Sequence, residues 1–140
     1  MPQSNLFSQI AELFHAGKSV LSREFQAAGL PYPATYLKVT RLIERVQPCT
    51  AQTLVQLLQR DKAQITRLLN DMEKQGLIAR EPNPHDRRSQ LLVLSAKGRE
   101  DFETMRAIEA RMVKQMTKGM NREERDALLS AMARIRDNLQ

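Results

Sequence analysis

The chain has 140 residues, 41% hydrophobic and 27% charged, which predicts one folded domain and excludes wholesale disorder. No apolar run approaches the roughly 20 residues that cross a bilayer, and a single cysteine excludes an internal disulfide. Because residues 1–5 show no signal-peptide pattern, we expect a cytoplasmic protein. The net charge of +6 points to a polyanionic partner, nucleic acid before membrane.

The first half of the chain is predicted to consist of helices. Apolar residues recur there at spacings of three and four, which is the period of one helix face. Gly29 and Gly76 follow two of these segments as C-caps, and Asp61 with Gln64 has the form of a capping box. The predicted helices are residues 4–28, about 34–46, a short segment capped by Thr50, and Asp61 to Gly76.

The pattern changes after Gly76. Residues 77–81 and 90–94 read as two short strands, and the proline-marked polar segment 82–88 reads as the tip of a β-hairpin. Ser95 is a suitable N-cap for a helix that ends near residue 117. Asn121 and Glu124 then predict a last capping box and a last amphipathic helix.

This order of elements predicts a mainly α protein with a small two-stranded β wing, a winged helix-turn-helix. A helix fits the major groove of DNA, and its polar outer face can read base edges. The flanking helices are not needed for that task, so dimerisation is their simplest role. We therefore expect a single domain, with a DNA-binding lobe over about 34–95 and dimerisation helices over about 1–33 and 96–140.

Three motifs in the correct order resemble the MarR/SlyA family of bacterial transcription regulators. They are Gly76-Leu77-Ile78 after the second helix of the motif, Asp86-Arg87-Arg88 at the wing tip, and Leu94-Ser95-Ala96-Lys97-Gly98 after the wing. The resemblance in architecture covers nearly the whole chain, and the motifs cover roughly residues 54–98. One departure is Asn70, which stands where many members carry Asp, so an ion pair is expected to be missing there.

The resemblance implies a homodimer that binds a palindromic operator in double-stranded DNA. It places Arg67 at a base-reading position, Arg88 in the minor groove, and Asp86 beside Arg88 as the acid that orients it. Further expected DNA contacts are Lys62, Gln64, Thr66 and Arg87. Lys38, Arg41 and Arg45 form a basic stripe that is interpreted as a solvated face, with phosphate contact as the alternative.

Four further residues are candidates for sensing a ligand or an oxidant. The family's ligand pockets lie between the dimerisation helices and the winged lobe, which makes Phe14, His15 and Tyr36 candidates for a pocket that takes a small aromatic ligand. The alternative is that His15 has a purely structural role. Cys49 is a candidate redox sensor, with a buried small apolar residue as the favoured alternative.

No feature of the sequence indicates an enzyme. The two histidines and one cysteine show no metal-ligand spacing, and there is no phosphate loop or nucleophile elbow, so no metal or cofactor is expected. The predicted function is that of a sequence-specific repressor released by its ligand, in a bacterium or archaeon and on the nucleoid when DNA-bound. The alternatives are an architectural or ligand-independent DNA-binding protein, and a winged-helix module that binds another protein.

Overall fold

The computed structural model describes residues 5–140, so Ser4 of the predicted first helix and the rest of residues 1–4 lie outside the described part. The order of six helices and two strands agrees with the sequence prediction. The elements are α1 (Leu6–Ala27), α2 (Thr35–Arg45), α3 (Ala51–Leu58), α4 (Lys62–Lys74), β1 (Ile78–Pro82), β2 (Gln90–Leu94), α5 (Ala96–Met116) and α6 (Arg122–Asn138). No helix within the described range is long and apolar enough to span a bilayer.

Local side-chain chemistry sets the helix ends. Gly29 and Gly76 have φ values of 79° and 77°, in the left-handed region that glycine adopts without a steric penalty. The Gly76 turn places the backbone nitrogen of Leu77 3.0 Å from Met72 O, so that its N–H bonds a carbonyl at the end of α4. Thr50 forms a complete capping box with Thr53 at the start of α3.

The two capping boxes predicted from the sequence are only half formed. The Asp61 carboxylate accepts a hydrogen bond from the backbone N–H of Gln64 at 2.7 Å, and the Asn121 side chain accepts one from Glu124 at 2.8 Å. The return bonds from the Gln64 and Glu124 side chains do not occur in the described structure. The prediction of the helix starts was correct, and the prediction of reciprocal bonding was wrong.

The wing is an antiparallel pair of strands, with Ile78 opposite Leu94 and Pro82 opposite Gln90. Its base is attached to the rest of the protein by a hydrogen bond from Leu92 N to Cys49 O at 2.8 Å. The segment between α2 and α3 therefore lies beside β2. This contact leaves the tip, residues 83–89, projecting from the lobe.

The core lies between α2, α4, the base of the wing and the first half of α5. The side chains of Val39, Ile43, Leu69, Leu92 and Met105 are fully buried there. Burial of large aliphatic side chains on this scale is the main force that holds the helices together. The core fixes the inner face of α4 and so determines which of its residues face outward.

The first turn of α5 is attached directly to the end of α4. Ser95 donates its backbone N–H to Leu77 O at 2.9 Å and its hydroxyl to Gly76 O at 2.5 Å, while Lys97 Nζ donates to Gln75 O at 2.9 Å. A Cβ added at Gly98 would lie 2.0 Å from Leu77 O. Only glycine at position 98 therefore allows α5 to pack so closely against the end of α4.

Much of the predicted apolar surface of α1 and α6 is exposed in the protomer. The predicted stripe of α1 is buried only at Leu21 and Phe25, and α6 has no buried residue. Met116, the last residue of α5, is 58% exposed. The exposed large apolar side chains of α1, the end of α5 and α6 are Leu6, Phe7, Ile10, Leu13, Phe14, Val113, Met116, Leu128, Leu129, Met132 and Leu139.

Candidate nucleic-acid interface

Helix α4 presents a polar face to solvent because its apolar residues face the core. Ile65, Leu69 and Met72 are buried, and each lies three or four residues from the next. The four predicted DNA contacts on α4 are all exposed: Lys62, Gln64, Thr66 and Arg67. The exposed positions divide between two sides of the helix, since each residue adds about 100° of rotation.

Lys62 and Thr66 face a cleft of about 280 Å³ between α3, α4 and the wing. The cleft is lined by Thr50, Ala51, Gln52, Val55, Lys62, Thr66, Arg80, Arg88, Ser89 and Gln90. Three of these residues are cationic and none is acidic, so the cleft attracts a polyanion. Gln64, Arg67, Asp86 and Arg87 are outside the cleft lining and are exposed beside it.

The tip of the wing is braced by its own side chains. The Asn83 carbonyl oxygen accepts the backbone N–H of His85 at 3.0 Å, and its amide nitrogen bonds the Ser89 hydroxyl at 3.0 Å. Asp86 Oδ1 accepts the backbone N–H of Arg88 at 2.9 Å. The carboxylate of Asp86 thus contacts the Arg88 backbone rather than the guanidinium, so it fixes where the Arg88 side chain starts. The Arg88 side chain itself remains exposed.

Arg80, which the sequence pattern did not identify, lies on β1 and also lines the cleft. Its Nε donates to Glu73 Oε2 at 2.6 Å, and its Nη2 donates to Asn70 Oδ1 at 3.1 Å. The expectation that Asn70 leaves a contact missing was therefore incomplete, because Asn70 accepts a hydrogen bond from Arg80 and Glu73 supplies the carboxylate. The alternation of residues in β1 does not indicate these contacts, because by sequence Arg80 resembles the other exposed cations of the wing.

The basic stripe of α2 is not a uniform solvated face. Arg41 forms an ion pair with Glu109 of α5, with Nη2 2.5 Å from Oε1. Both side chains are about 30% exposed or less. Arg41 therefore joins two helices, while Lys38 and Arg45 are exposed.

The three predicted pocket residues do not meet in one cavity. Tyr36 is a core residue that stacks on Tyr32 with ring centroids 5.3 Å apart, and its hydroxyl accepts a hydrogen bond from Gln75 Nε2 at 3.2 Å. Burial raises the pKa of Tyr36 above its ordinary value. His15 is exposed on α1, away from the groove that Phe14 lines. His15 and Tyr36 do not line the groove that Phe14 lines, because their positions on α1 and α2 place them on other helix faces.

Phe14 does line a groove, of about 410 Å³, between α1, α2 and α5. The residues around this groove are Phe14, Lys18, Leu21, Ala34, Thr35, Leu37, Lys38, Arg41, Leu42, Arg60 and Glu109. Lys18 Nζ lies 5.4 Å from the centroid of the Phe14 ring, within the range of a cation–π contact. The groove combines apolar walls with four cations and one carboxylate.

Cys49 is fully buried beside β2. Burial raises the pKa of its thiol to about 11, so the reactive thiolate is scarce at neutral pH. This environment disfavours the redox-sensor hypothesis and agrees with the alternative of a small buried residue. Within residues 5–140, no three His, Cys, Asp or Glu side chains come together as a metal site.

The short helix α3, the polar-faced helix α4 and the basic hairpin beside them define a winged helix-turn-helix protein. A family model described as the MarR family matches residues 34–89, from α2 to the wing tip. The winged helix-turn-helix of this chain is therefore similar to that of the MarR family, whose members are transcription regulators rather than enzymes.

A curated relative and two solved structures illustrate the similarity. YdgJ of Bacillus subtilis, an HTH-type transcriptional regulator, is 30% identical over 103 residues, which are 74% of this chain and 63% of that protein. The match thus spans less than two thirds of the length of that relative.

The two solved structures share the fold at low sequence identity. A MarR family regulator from Listeria monocytogenes in complex with a 26mer DNA has a TM-score of 0.81 at 24% identity, over 95% of this chain and 87% of that one. An organohalide-sensing transcriptional regulator, in its 2,4-dichlorophenol-bound form, has a TM-score of 0.84 at 21% identity. The match covers 99% of this chain and 81% of that one.

Proposed function

We propose that the protein is a homodimeric, sequence-specific DNA-binding regulator that represses transcription. The observation that carries this proposal is the cleft between α3, α4 and the wing, which is lined by three cations, Arg88 among them, and by no acid. Arg67 is exposed on α4, outside this lining. Phosphate charge attracts such a surface whatever the DNA sequence is. The DNA-bound neighbour of the same fold supports the proposal.

In the proposed complex, α4 enters the major groove and the wing follows the backbone into the adjacent minor groove. Arg67 lies on the outer face of α4, where its guanidinium can bond guanine O6 and N7 as a pair. Arg88 projects from the braced tip and suits a narrow, A·T-rich minor groove. Lys62 and Thr66 contact the backbone between them.

The apolar faces of α1, the end of α5 and α6 support the proposed dimer. The proposed DNA-binding lobe is the winged segment between these helices, over about 34–95. Eleven large apolar side chains are exposed on the three helix faces, and a stable protomer surface rarely leaves so many uncovered. Two-fold symmetry then places two copies of α4 on one side of the duplex, which matches a palindromic site. Occupation of such a site in a promoter blocks RNA polymerase.

The proposal is tested with the variants Arg67→Ala and Arg88→Ala, in fluorescence anisotropy with a duplex that the protein enriches from random DNA. Each variant should weaken binding by about 1–3 kcal/mol, and Arg67→Ala should also relax base preference at one position in each half-site. Arg106→Ala is the control, because Arg106 is an exposed α5 arginine that pairs with Glu103. Equal losses in all three variants, or none in either test variant, contradict the proposed interface.

The groove between α1, α2 and α5 is the proposed site of a small aromatic ligand that releases DNA. The Phe14 ring and the apolar walls suit an aromatic ring, and the surrounding Lys18, Lys38 and Arg60 favour an anionic substituent. The dichlorophenol-bound neighbour of the same fold supports a ligand of this class. A ligand there lies between α1 and the winged lobe, so it can change the spacing of the two lobes.

Ligand release is tested by reciprocal linkage, with 2,4-dichlorophenol as the first probe. A phenol that weakens DNA binding by some factor must bind the protein–DNA complex more weakly by the same factor. Leu42→Trp, which fills the groove wall, should abolish both effects and keep DNA affinity. A phenol that binds equally well with and without the duplex contradicts the proposed release.

A second candidate is an architectural protein that binds DNA with little sequence preference. The net charge of +6 favours it, because such binding depends on phosphate contacts alone. The two candidates differ in the ratio of specific to non-specific affinity, measured at one salt concentration. A regulator should prefer its enriched duplex by about a thousandfold or more, and an architectural protein should show almost no preference.

A further inference from the structure

Arg80 attaches the wing to the last two turns of α4. Its guanidinium leaves β1 and takes two acceptors on α4, Glu73 Oε2 at 2.6 Å and Asn70 Oδ1 at 3.1 Å. These acceptors lie three residues apart on the helix, so they share one face. The backbone joins β1 to α4 only through the turn at Gly76, which fixes one end of the hairpin. The Arg80 contacts supply a second attachment nearer to the tip.

We infer that Arg80 is a positioning residue for DNA binding, which holds the wing at a fixed angle to α4 through Glu73 and Asn70. The inference rests on the proposed function, because the angle between the wing and α4 matters only if Arg88 and α4 contact DNA at the same time. The Gly76 turn and the hydrogen bond from Leu92 N to Cys49 O also hold the wing, and the Arg80 contacts add the side-chain link that sets its angle to α4. With these contacts in place, the Arg88 side chain and the outer face of α4 keep a constant separation.

The contacts of Arg80 distinguish it from the cations that contact phosphates. Its Nε and one Nη nitrogen are already bonded to acceptors, and its side chain is 24% exposed. Lys62 and Arg88, in the same cleft, are exposed and make no ion pair within residues 5–140. Because Glu73 offsets the charge of Arg80, Arg80 adds little to the attraction between the cleft and DNA phosphates.

The test compares Glu73→Gln, the double variant Glu73→Gln/Asn70→Asp, and the control Glu81→Gln. Glu81 is an exposed carboxylate next to Arg80 and makes no ion pair in the described residues. Affinity for a duplex enriched from random DNA is measured at several salt concentrations. Glu73→Gln should weaken binding about two- to fivefold, the range expected for a partly exposed ion pair, and should leave the salt slope unchanged. Glu81→Gln should leave binding unchanged or tighten it.

The double variant restores a carboxylate to the same guanidinium, because Asn70 Oδ1 already contacts Nη2. It should therefore regain the wild-type affinity. Simple electrostatics predicts the opposite signs, since loss of Glu73 removes negative charge near DNA and Asp at position 70 adds it back. Tighter binding by Glu73→Gln with weaker binding by the double variant would overturn the inference, as would a loss in Glu73→Gln without rescue.

Hydrogen exchange of the DNA-free protein separates this inference from the proposed function. Amides of the wing, residues 80–91, should exchange faster in Glu73→Gln and return to the wild-type rate in the double variant. If no duplex is enriched at all, the proposed function fails while this measurement still reports on the attachment. Unchanged wing exchange in Glu73→Gln would overturn the positioning role whatever the DNA result is.

Discussion

At the scale of single residues, burial decides which polar side chains take part in chemistry. Cys49 follows a proline and precedes a helix start, a position where a thiolate can be stabilised. Its full burial beside β2 outweighs that effect and raises its thiol pKa to about 11. The thiol therefore acts as a small apolar group of the core.

Cys49 should resist thiol reagents while the protein is folded. At pH 8 we expect reaction with 5,5′-dithiobis(2-nitrobenzoate) to be at least about a hundredfold slower than in the same protein unfolded in guanidinium, because the sulfur must first be exposed by an opening motion. The absorbance of the released thiolate measures both rates. Similar rates in the two states would reinstate Cys49 as a candidate sensor.

The sequence predicted outward residues of the candidate interface better than residues of the ligand groove. Lys62, Thr66 and Arg67 could be placed because the period of α4 separates its polar face from the core. Tyr36 could not, because an aromatic residue near a helix start serves a core or a pocket equally well. Arg80 was missed because its two partners, Glu73 and Asn70, depend on how β1 folds back along α4.

At the scale of elements, the junction between α4 and α5 fixes the position of each helix relative to the other. Ser95, Lys97 and Gly98 of the predicted motif contact the carbonyls of Gln75, Gly76 and Leu77, which close α4. The last turn of α4 thus rests on the first turn of α5. The relative position of the two helices is therefore set by direct contact between their ends.

Gly98→Ala should disturb this junction. The added Cβ would lie 2.0 Å from Leu77 O, a backbone atom that cannot move alone, so we expect a loss of about 1–3 kcal/mol in the free energy of unfolding. Urea denaturation at a fixed protein concentration measures the loss. Gly17→Ala is the matched control in α1, where the nearest side-chain atom is 3.9 Å away. An unchanged midpoint for Gly98→Ala would contradict the close packing.

The elements themselves followed from local signals. Periodicity located all six helices, and glycine or a side-chain cap marked most of their ends. The reciprocal half of two capping boxes failed because exposed glutamine and glutamate side chains gain little from a bond to the backbone that water also offers. Which helix faces are covered by a second chain is not a local property, so the buried stripe predicted for α1 was only partly found.

At the scale of the whole molecule, the exposed apolar faces of α1 and α6 support the proposed dimer. Leu129 and Met132 are 62% and 49% exposed and lie on one face of α6. A second copy of the chain covers such a face most simply, because a two-fold axis brings the same surface to itself.

The double variant Leu129→Glu/Met132→Glu should dissociate the proposed dimer and leave the protomer folded. Both side chains are exposed in the protomer, so charge there adds no burial cost until the second chain approaches. Sedimentation velocity should show about half the wild-type mass, with the helical circular dichroism largely retained. Ser130→Glu, on the opposite face of α6, is the control and should stay dimeric. A double variant that sediments like the wild type would contradict the interface.

The most direct measurement is selection of bound duplexes from a random DNA library at physiological salt. The account predicts enrichment of an inverted repeat whose half-sites are about one helical turn apart, as two α4 helices related by a two-fold axis require. Retention of DNA without an enriched motif would favour the architectural candidate. A protein that retains no duplex would contradict the central claim and favour a module that binds another protein.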